Sequence, residues 1–290
     1  MEKYFAPVKE VSRARRGAGS LRANNAPLMP SLMPSPRAGA RRRSEIPGRL
    51  LEQLNRGQLE ATTLDEVLAI DFARLLVEVA PDVPKPALVV LRTTTAAGVT
   101  ERMALAGRVL LEHCGPAAYL RFARHRSDTV RGWAAYLLAA TQDFTLAERL
   151  QLVRVLANDR NASVREWAWL ALRPLLALDI EHSIRVLEPW TISTSPFLRR
   201  FAVEATRPRG QWCTHIDALK LRPELGLPIL EPLRADPHQY VQNSVASWLQ
   251  DTAKSQPEWV RELCGRWSCE SLSPATDRIC RRALRSLRRG

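Results

Sequence analysis

The stretch DTVRGWA at residues 128–134 returns as ASVREWA at residues 162–168, with the same order of turn, aliphatic, polar and small residues. Related copies begin near residues 195, 241 and 279. The aliphatic anchors of the five copies lie 34, 34, 43 and 38 residues apart; they are Val130, Val164, Leu198, Val241 and Ile279. A repeat of this length without strand-like alternation is typical of stacked helix pairs, in which each unit buries its apolar face against its neighbours.

The residues before these copies also follow a helical pattern. Thr63 followed by Glu66 predicts a capping box that opens a helix reaching about Val79. Further helices are expected near 86–97, 99–114 and 116–126. No period-two pattern or hairpin turn is present. We therefore predict an all-α fold, a right-handed superhelical solenoid of HEAT-like (armadillo-type) repeats.

The composition indicates a globular chain with a polyanionic partner. Its 290 residues are 46% hydrophobic, and the formal net charge is +13. Residues 1–45 are rich in Pro, Gly and Arg, so we predict a flexible N-terminal arm, either simply solvated or tracking phosphates. Residues 46–290 are predicted to form one domain.

Several other classes of protein are disfavoured. The five cysteines are odd in number and scattered, which argues against a disulfide framework and for a reducing compartment. No apolar run of about 18 residues is present, so neither a transmembrane helix nor a membrane partner is expected. Cys213 with His215, and Cys264 with Cys269, lack the paired spacing of a metal site, and we predict no metal and no cofactor.

Three acids share one helical face when they are counted from the repeat anchors. Glu166 lies at offset 2, Glu204 at offset 6 and Asp251 at offset 10 of successive repeats. Because these offsets differ by four, the three carboxylates are predicted to point at one stripe of the concave surface. The alternative for Glu204 and Asp251 is a structural ion pair with Arg207 or Lys254, and spacing alone leaves both readings open.

The tryptophans fall into two groups. Trp133 and Trp167 at offset 3 are predicted to pack in the core. Trp248 lies at offset 7, and Trp212 follows the helix break at Pro208. These two indoles are candidates for stacking on a ligand beside the acids.

The surroundings of the acids are basic. The cations predicted to contact a nucleic-acid backbone are Arg200, Arg207, Arg209, Lys254, Arg281, Arg282 and Arg285. Carboxylates in the middle of such a groove repel phosphate and reduce binding. Their presence is best explained by a cationic target, or by positive charge that develops in a reaction.

The sequence from Arg199 to Arg209 with Trp212, and from Asp236 through Trp248 to Asp251, resembles the DNA alkylation repair family. These are alkylpurine DNA glycosylases built from HEAT-like repeats, and the AlkC branch is more similar than the AlkD branch. The resemblance extends over residues 128–288 and includes the last predicted helix.

The resemblance implies a monofunctional glycosylase that hydrolyses the N-glycosidic bond of cationic N-alkylated purines of the 3-methyladenine type, leaving an abasic site. Asp251 matches the catalytic carboxylate, Glu204 a second acid and Trp212 an active-site aromatic residue. Where the AlkC branch has a further acid, ungapped alignment places Trp169 instead, and Glu166 lies nearly one turn earlier. We therefore take Asp251, Glu204 and Glu166 as the catalytic candidates.

Trp212, Trp248 and Trp169 are the candidates for contacting the base. The implied partner is duplex DNA carrying alkylated bases, bound by a monomer in the cytoplasm. The alternative is a non-catalytic HEAT-repeat protein that binds DNA or a protein partner.

Overall fold

The computed structural model describes residues 37–94, 98–210 and 212–288. Ala38–Gly290 forms one compact unit, which begins earlier than the boundary expected at residue 46. Most of the predicted N-terminal arm lies outside the described residues. Within the described ranges all regular structure is helical, without a strand, as predicted for an all-α fold.

Sixteen α-helices are present in the described ranges. They are α1 Gly48–Asn55, α2 Leu64–Ala69, α3 Phe72–Val79, α4 Lys85–Thr93, α5 Val99–Cys114, α6 Tyr119–Ala123, α7 Asp128–Ala140, α8 Leu146–Ala157, α9 Ala162–Leu178, α10 Ile180–Leu187, α11 Pro196–Ala205, α12 Asp217–Leu221, α13 Leu227–Leu230, α14 Gln239–Ala253, α15 Pro257–Glu270 and α16 Pro274–Ala283. Short 3-10 turns occupy Arg43–Glu45, Pro116–Ala118, Glu188–Ile192, Pro223–Gly226, Glu231–Leu233 and Leu284–Arg288.

The single helix predicted from Thr63 to Val79 is two helices. The Thr63 hydroxyl accepts a hydrogen bond from the Glu66 backbone NH, as expected of a cap. The Glu66 carboxylate, however, accepts from the backbone NH groups of Ala40 and Thr62 at 2.9 and 2.8 Å rather than from Thr63. The chain then breaks before Asp71, which caps α3 with its own side chain. The apolar period continued across this break, so periodicity alone did not reveal it.

The repeat prediction is confirmed. The five anchors are at most 4% exposed; four lie near the starts of α7, α9, α11 and α14, and Ile279 lies in the middle of α16. Each of these helices packs on the next in that order, which is the arrangement of a helical-repeat solenoid. Small residues four positions after the anchors are fully buried at Ala134, Ala168 and Ala202, so neighbouring helices approach closely.

The polar residue after each anchor has a structural role. The side chains of Arg131, Arg165 and Arg199 each donate to the backbone carbonyls five and six residues earlier, at 2.6–3.2 Å. Gln242 reaches the carbonyl six residues earlier at 2.8 Å. These bonds fix the loop that enters each repeat helix, so the same register carries the next acid to the same surface.

A buried carboxylate at the first residue of α7 makes stability depend on pH. Asp128 is 0% exposed, and its Oδ1 accepts from the Ala61 backbone NH at 3.0 Å. Burial raises the pKa of Asp128 to about 6. Because the folded pKa lies above the unfolded one, the stabilising contribution is complete below the unfolded value and is lost as pH rises through about 6.

We therefore expect the stability of the wild type relative to Asp128→Asn to fall by about 2–3 kcal/mol between about pH 4 and pH 7.5. Denaturant unfolding at several pH values measures this difference. Asp143→Asn is the matched control, because Asp143 is exposed in the α7–α8 loop. An equal pH dependence for both variants would contradict the assignment.

Candidate active site

The three predicted acids meet through two arginines. Arg200 Nη2 lies 2.6 Å from Glu166 Oε1 and 3.4 Å from Glu204 Oε1. Arg207 Nη1 lies 3.0 Å from Glu204 Oε2, and its Nη2 lies 2.7 Å from Asp251 Oδ2. We call these five residues the acid network. It joins α9, α11 and α14, so the acids of three repeats converge as their offsets predicted.

Glu204 is the enclosed member of the network. It is 4% exposed, and its Oε1 accepts from the Ser244 hydroxyl at 2.6 Å as well as facing Arg200. Its Oε2 accepts from Arg207. Both oxygens of Glu204 are therefore engaged by protein atoms, and the carboxylate lies between the two arginines.

Asp251 has one constrained oxygen and one more open oxygen. Oδ2 accepts from both Nε and Nη2 of Arg207, at 2.9 and 2.7 Å. Oδ1 lies 3.4 Å from Nζ of Lys254, whose side chain is 62% exposed. The fork of Arg207 therefore fixes the plane of the carboxylate, while the exposed side chain of Lys254 pairs with the other oxygen.

The arginines of the network remain cationic. Burial alone would lower the pKa of Arg207, but the charges of Glu204 and Asp251 outweigh it and hold that pKa above its usual value. The pKa of Arg200 is likewise raised against the effect of burial, by Glu204 and Glu166. Two guanidinium groups thus face three carboxylates.

Arg173 belongs to the site, although spacing did not single it out. It lies on α9 and is 1% exposed, and burial lowers its pKa. Its guanidinium donates to the backbone carbonyls of Ala205, Arg207 and Thr214 at 3.1, 2.5 and 3.2 Å. Arg173 therefore ties the end of α11 to the loop that carries Trp212. Its signal in the sequence was a charged residue inside the apolar run of α9.

Trp212 has the properties expected of a ligand-contacting aromatic residue. It is 47% exposed and lies in the loop between α11 and α12. Among the described residues, Trp212 is the one non-glycine residue with a positive φ, at 64°. A bulky side chain in this backbone region is strained, and such strain concentrates at functional sites.

The base contact predicted for Trp248 is incompatible with its position. Trp248 is 0% exposed, and its Nε1 donates to the Thr206 carbonyl at 2.9 Å. Its ring packs on Gly226, where an added Cβ would come within 2.5 Å. Trp169 is 5% exposed and donates from Nε1 to Glu166 Oε2 at 2.8 Å. Both indoles are therefore buried side chains that pack within the protein beside the site. The hydrogen bond from Trp169 orients Glu166.

The cations predicted to bind a nucleic-acid backbone fall into an enclosed group and an exposed group. The side chains of Arg200 and Arg207 are only 13% and 23% exposed, because both are engaged with the carboxylates. Arg209 is half-buried and donates from Nε to the Asp251 carbonyl at 3.3 Å. Arg282 is also half-buried, and the exposed cations of this set are Lys254, Arg281 and Arg285.

Within residues 37–94, 98–210 and 212–288, no group of three or more His, Cys, Asp or Glu side chains is arranged to hold a metal ion. None of the helices described is both long enough and apolar enough to cross a membrane.

The fold and the site together define a helical-repeat protein with buried carboxylates within a basic surface. Residues 131–274 match the family described as DNA alkylation repair enzyme, and through these residues the chain belongs to that family. The chain is similar to YhaZ of Bacillus subtilis (strain 168), an uncharacterized protein, with 36% identity over 146 residues. That match covers 50% of this chain and 40% of YhaZ.

Two solved structures are similar. The alkylpurine DNA glycosylase AlkC of Pseudomonas fluorescens, bound to DNA containing an abasic site analog, has a TM-score of 0.60 and 27% identity, covering 82% of this chain and 64% of AlkC. The protein smu.31 of Streptococcus mutans UA159 has a TM-score of 0.50 and 20% identity, covering 73% of this chain and 95% of smu.31, and supports the fold alone. The chain therefore spans less than two thirds of both YhaZ and AlkC.

Proposed function

We propose that the protein is a monofunctional DNA glycosylase that hydrolyses the N-glycosidic bond of cationic N-alkylated purines in duplex DNA. The observation that carries this proposal is the Asp251 carboxylate, which is held through one oxygen by Arg207 and paired through the other with exposed Lys254. The similarity to DNA-bound AlkC supports DNA as the partner. We further propose that the unit acts as a monomer.

The reaction follows from charge. An N-alkylated purine such as 3-methyladenine is already cationic, so it leaves without a proton from an acid. As the glycosidic bond breaks, the sugar becomes oxocarbenium-like. Asp251 Oδ1 stabilises that positive charge and orients the water that attacks the anomeric carbon. The water supplies the hydroxyl group of the abasic sugar, and its second proton passes to solvent.

Glu166 and Trp212 favour a cationic base over a neutral base. Glu166 is partly exposed at 33% of its side chain, and its two oxygens are held by Arg200 and Trp169, so its negative charge has a fixed position. Trp212 offers an exposed aromatic face, which attracts a cationic ring more than a neutral one. Selection in this mechanism depends on the charge and lability of the damaged base.

The test is incubation of the wild-type protein with methylated duplex DNA, followed by chromatography of the released bases. We expect free 3-methyladenine and an equal amount of intact abasic sites. Borohydride reduction during the reaction should trap no covalent adduct, although Lys254 lies beside Asp251. An adduct at Lys254 would contradict the monofunctional mechanism.

A second candidate is a non-catalytic DNA-binding protein. The observation that favours it is that every carboxylate of the acid network has an arginine partner, as in a purely structural ion-pair network. Tight, salt-dependent duplex binding without base release would establish this alternative.

Trp212→Ala is expected to lower base release about 5- to 30-fold, because a cation–π contact contributes roughly 1–2 kcal/mol. The melting temperature should stay near that of the wild type, since the side chain is 47% exposed. The assay is single-turnover release from methylated DNA. Unchanged release would remove Trp212 from the site.

A further inference from the structure

A depression lined by four arginines lies at the C-terminal end of the solenoid. Helix α16 and the 3-10 turn Leu284–Arg288 enclose a volume of about 420 Å³ that is open to solvent. The lining residues are Arg278, Arg281, Arg282 and Arg285. They recur at intervals of three and four residues, so their side chains leave the same face of one helix. We call this feature the arginine depression.

The charge of the arginine depression is poorly compensated. Arg281 forms an ion pair with Asp277. Arg278 and Arg282 both donate to Oδ1 of Asn243, at 3.4 and 3.0 Å, and this amide oxygen carries no charge. Like charges at this spacing repel one another on a helix. An anion with several oxygens is therefore the occupant that the depression fits, and guanidinium forks bind phosphodiesters in a bidentate manner.

The depression lies one repeat beyond the acid network. Asn243, which accepts from Arg278 and Arg282, is on α14 together with Asp251, about 12 Å away along the helix axis. Gln250, the residue before Asp251, donates to the backbone carbonyl of Arg282 at 2.8 Å. Helix α14 therefore carries the catalytic candidate near one end, contacts the arginine side chains at Asn243 and contacts the backbone of α16 at Gln250.

We propose that the arginine depression binds one phosphodiester of the damaged strand, within about four nucleotides of the alkylated base. This limit follows from the ~12 Å between Asn243 and Asp251 along α14 and the ~3.4 Å rise per nucleotide of one strand. The inference rests on the proposed function, which places the damaged sugar at Asp251. The depression supplies affinity and alignment, and it does not touch the reacting atoms.

The first experiment removes charge from the depression. The double variant Arg278→Gln, Arg282→Gln keeps side chains that can hydrogen-bond Asn243. Its affinity for a duplex with a stable abasic-site analogue should fall about 10-fold or more at physiological salt, and the salt slope should decrease by about one.

The matched control is Arg261→Gln, Arg266→Gln on α15. These arginines pair with Glu258 and Glu231 and line no part of the depression. The control removes the same charge and should leave the salt slope unchanged. Equal losses of affinity in both double variants would show that only net charge matters and would overturn the proposal.

The second experiment changes the DNA and leaves the protein intact. Single neutral methylphosphonates replace, in turn, each of the four phosphates on either side of the abasic-site analogue. One of these substitutions should weaken binding by the wild type but not by Arg278→Gln, Arg282→Gln. If no such position exists, the proposal is wrong whatever the folding of the variant.

The outcomes separate this inference from the proposed function. Absence of base release together with a lower salt slope in Arg278→Gln, Arg282→Gln would refute the glycosylase and retain the phosphate site. Normal base release, with equal salt slopes for the wild type and that variant, would retain the glycosylase and refute the phosphate site.

Discussion

Asp251→Asn is expected to lower single-turnover base release from methylated DNA by about 30- to 1000-fold, which corresponds to about 2–4 kcal/mol in the barrier. The substitution keeps the size of the side chain and one oxygen that can accept from Arg207. In the wild type, Arg207 Nη2 lies 2.7 Å from Asp251 Oδ2. It removes the negative charge that stabilises the oxocarbenium-like sugar. The loss should therefore appear in the rate at saturating DNA.

Binding provides the internal comparison for Asp251→Asn. Its affinity for duplex DNA should equal or exceed that of the wild type, because a carboxylate close to phosphates opposes binding. Asp143→Asn, at an exposed loop position, is the control and should match the wild type in both measurements. Release by Asp251→Asn at the wild-type rate would exclude Asp251 as the catalytic carboxylate.

The convergence of the acids could be predicted because the repeats fix both spacing and register. Glu166, Glu204 and Asp251 lie on helices that pack in succession, and their offsets differ by about one turn. Periodicity states which face of a helix a side chain leaves. It does not state which cross-helix partner the side chain meets, so the choice between a reactive acid and an ion pair stayed open.

The residues that sequence reasoning misplaced show the same limit. Trp248 shares the apolar stripe of α14, and only the contact with Gly226 shows that its ring is enclosed. Arg173 interrupts the apolar run of α9 and was not predicted as a site residue, yet it donates to three backbone carbonyls that no sequence pattern connects. Both depend on where a distant loop returns, which local spacing does not encode.

The ion pairs of the acid network are expected to contribute measurably to the free energy of unfolding. Arg207→Met is expected to reduce the free energy of unfolding by about 3–5 kcal/mol, because it leaves two buried carboxylates without their shared cation. Glu204 and Asp251 are 4% and 6% exposed, so water compensates little of that loss. Denaturant unfolding at constant pH measures the change.

Two controls test that explanation of Arg207→Met. Arg261→Met, which breaks an exposed pair with Glu258, should change stability by less than about 0.5 kcal/mol. Adding Glu204→Gln and Asp251→Asn to Arg207→Met should restore much of the lost stability, because no buried charge is then left unpaired. A loss below about 1 kcal/mol in Arg207→Met would contradict the burial argument.

Base release by the same variants separates positioning from folding. The double variant Arg207→Met, Glu204→Gln keeps Asp251 ionisable and should recover part of the stability, because only one of the two carboxylates is then charged without Arg207 beside it. Its base release should stay low, because Arg207 no longer fixes the plane of the Asp251 carboxylate through Oδ2. Recovery of release together with stability would mean that Arg207 contributes only to folding. Low release in the stabilised variant would mean that Arg207 aims Asp251 Oδ1 at the substrate.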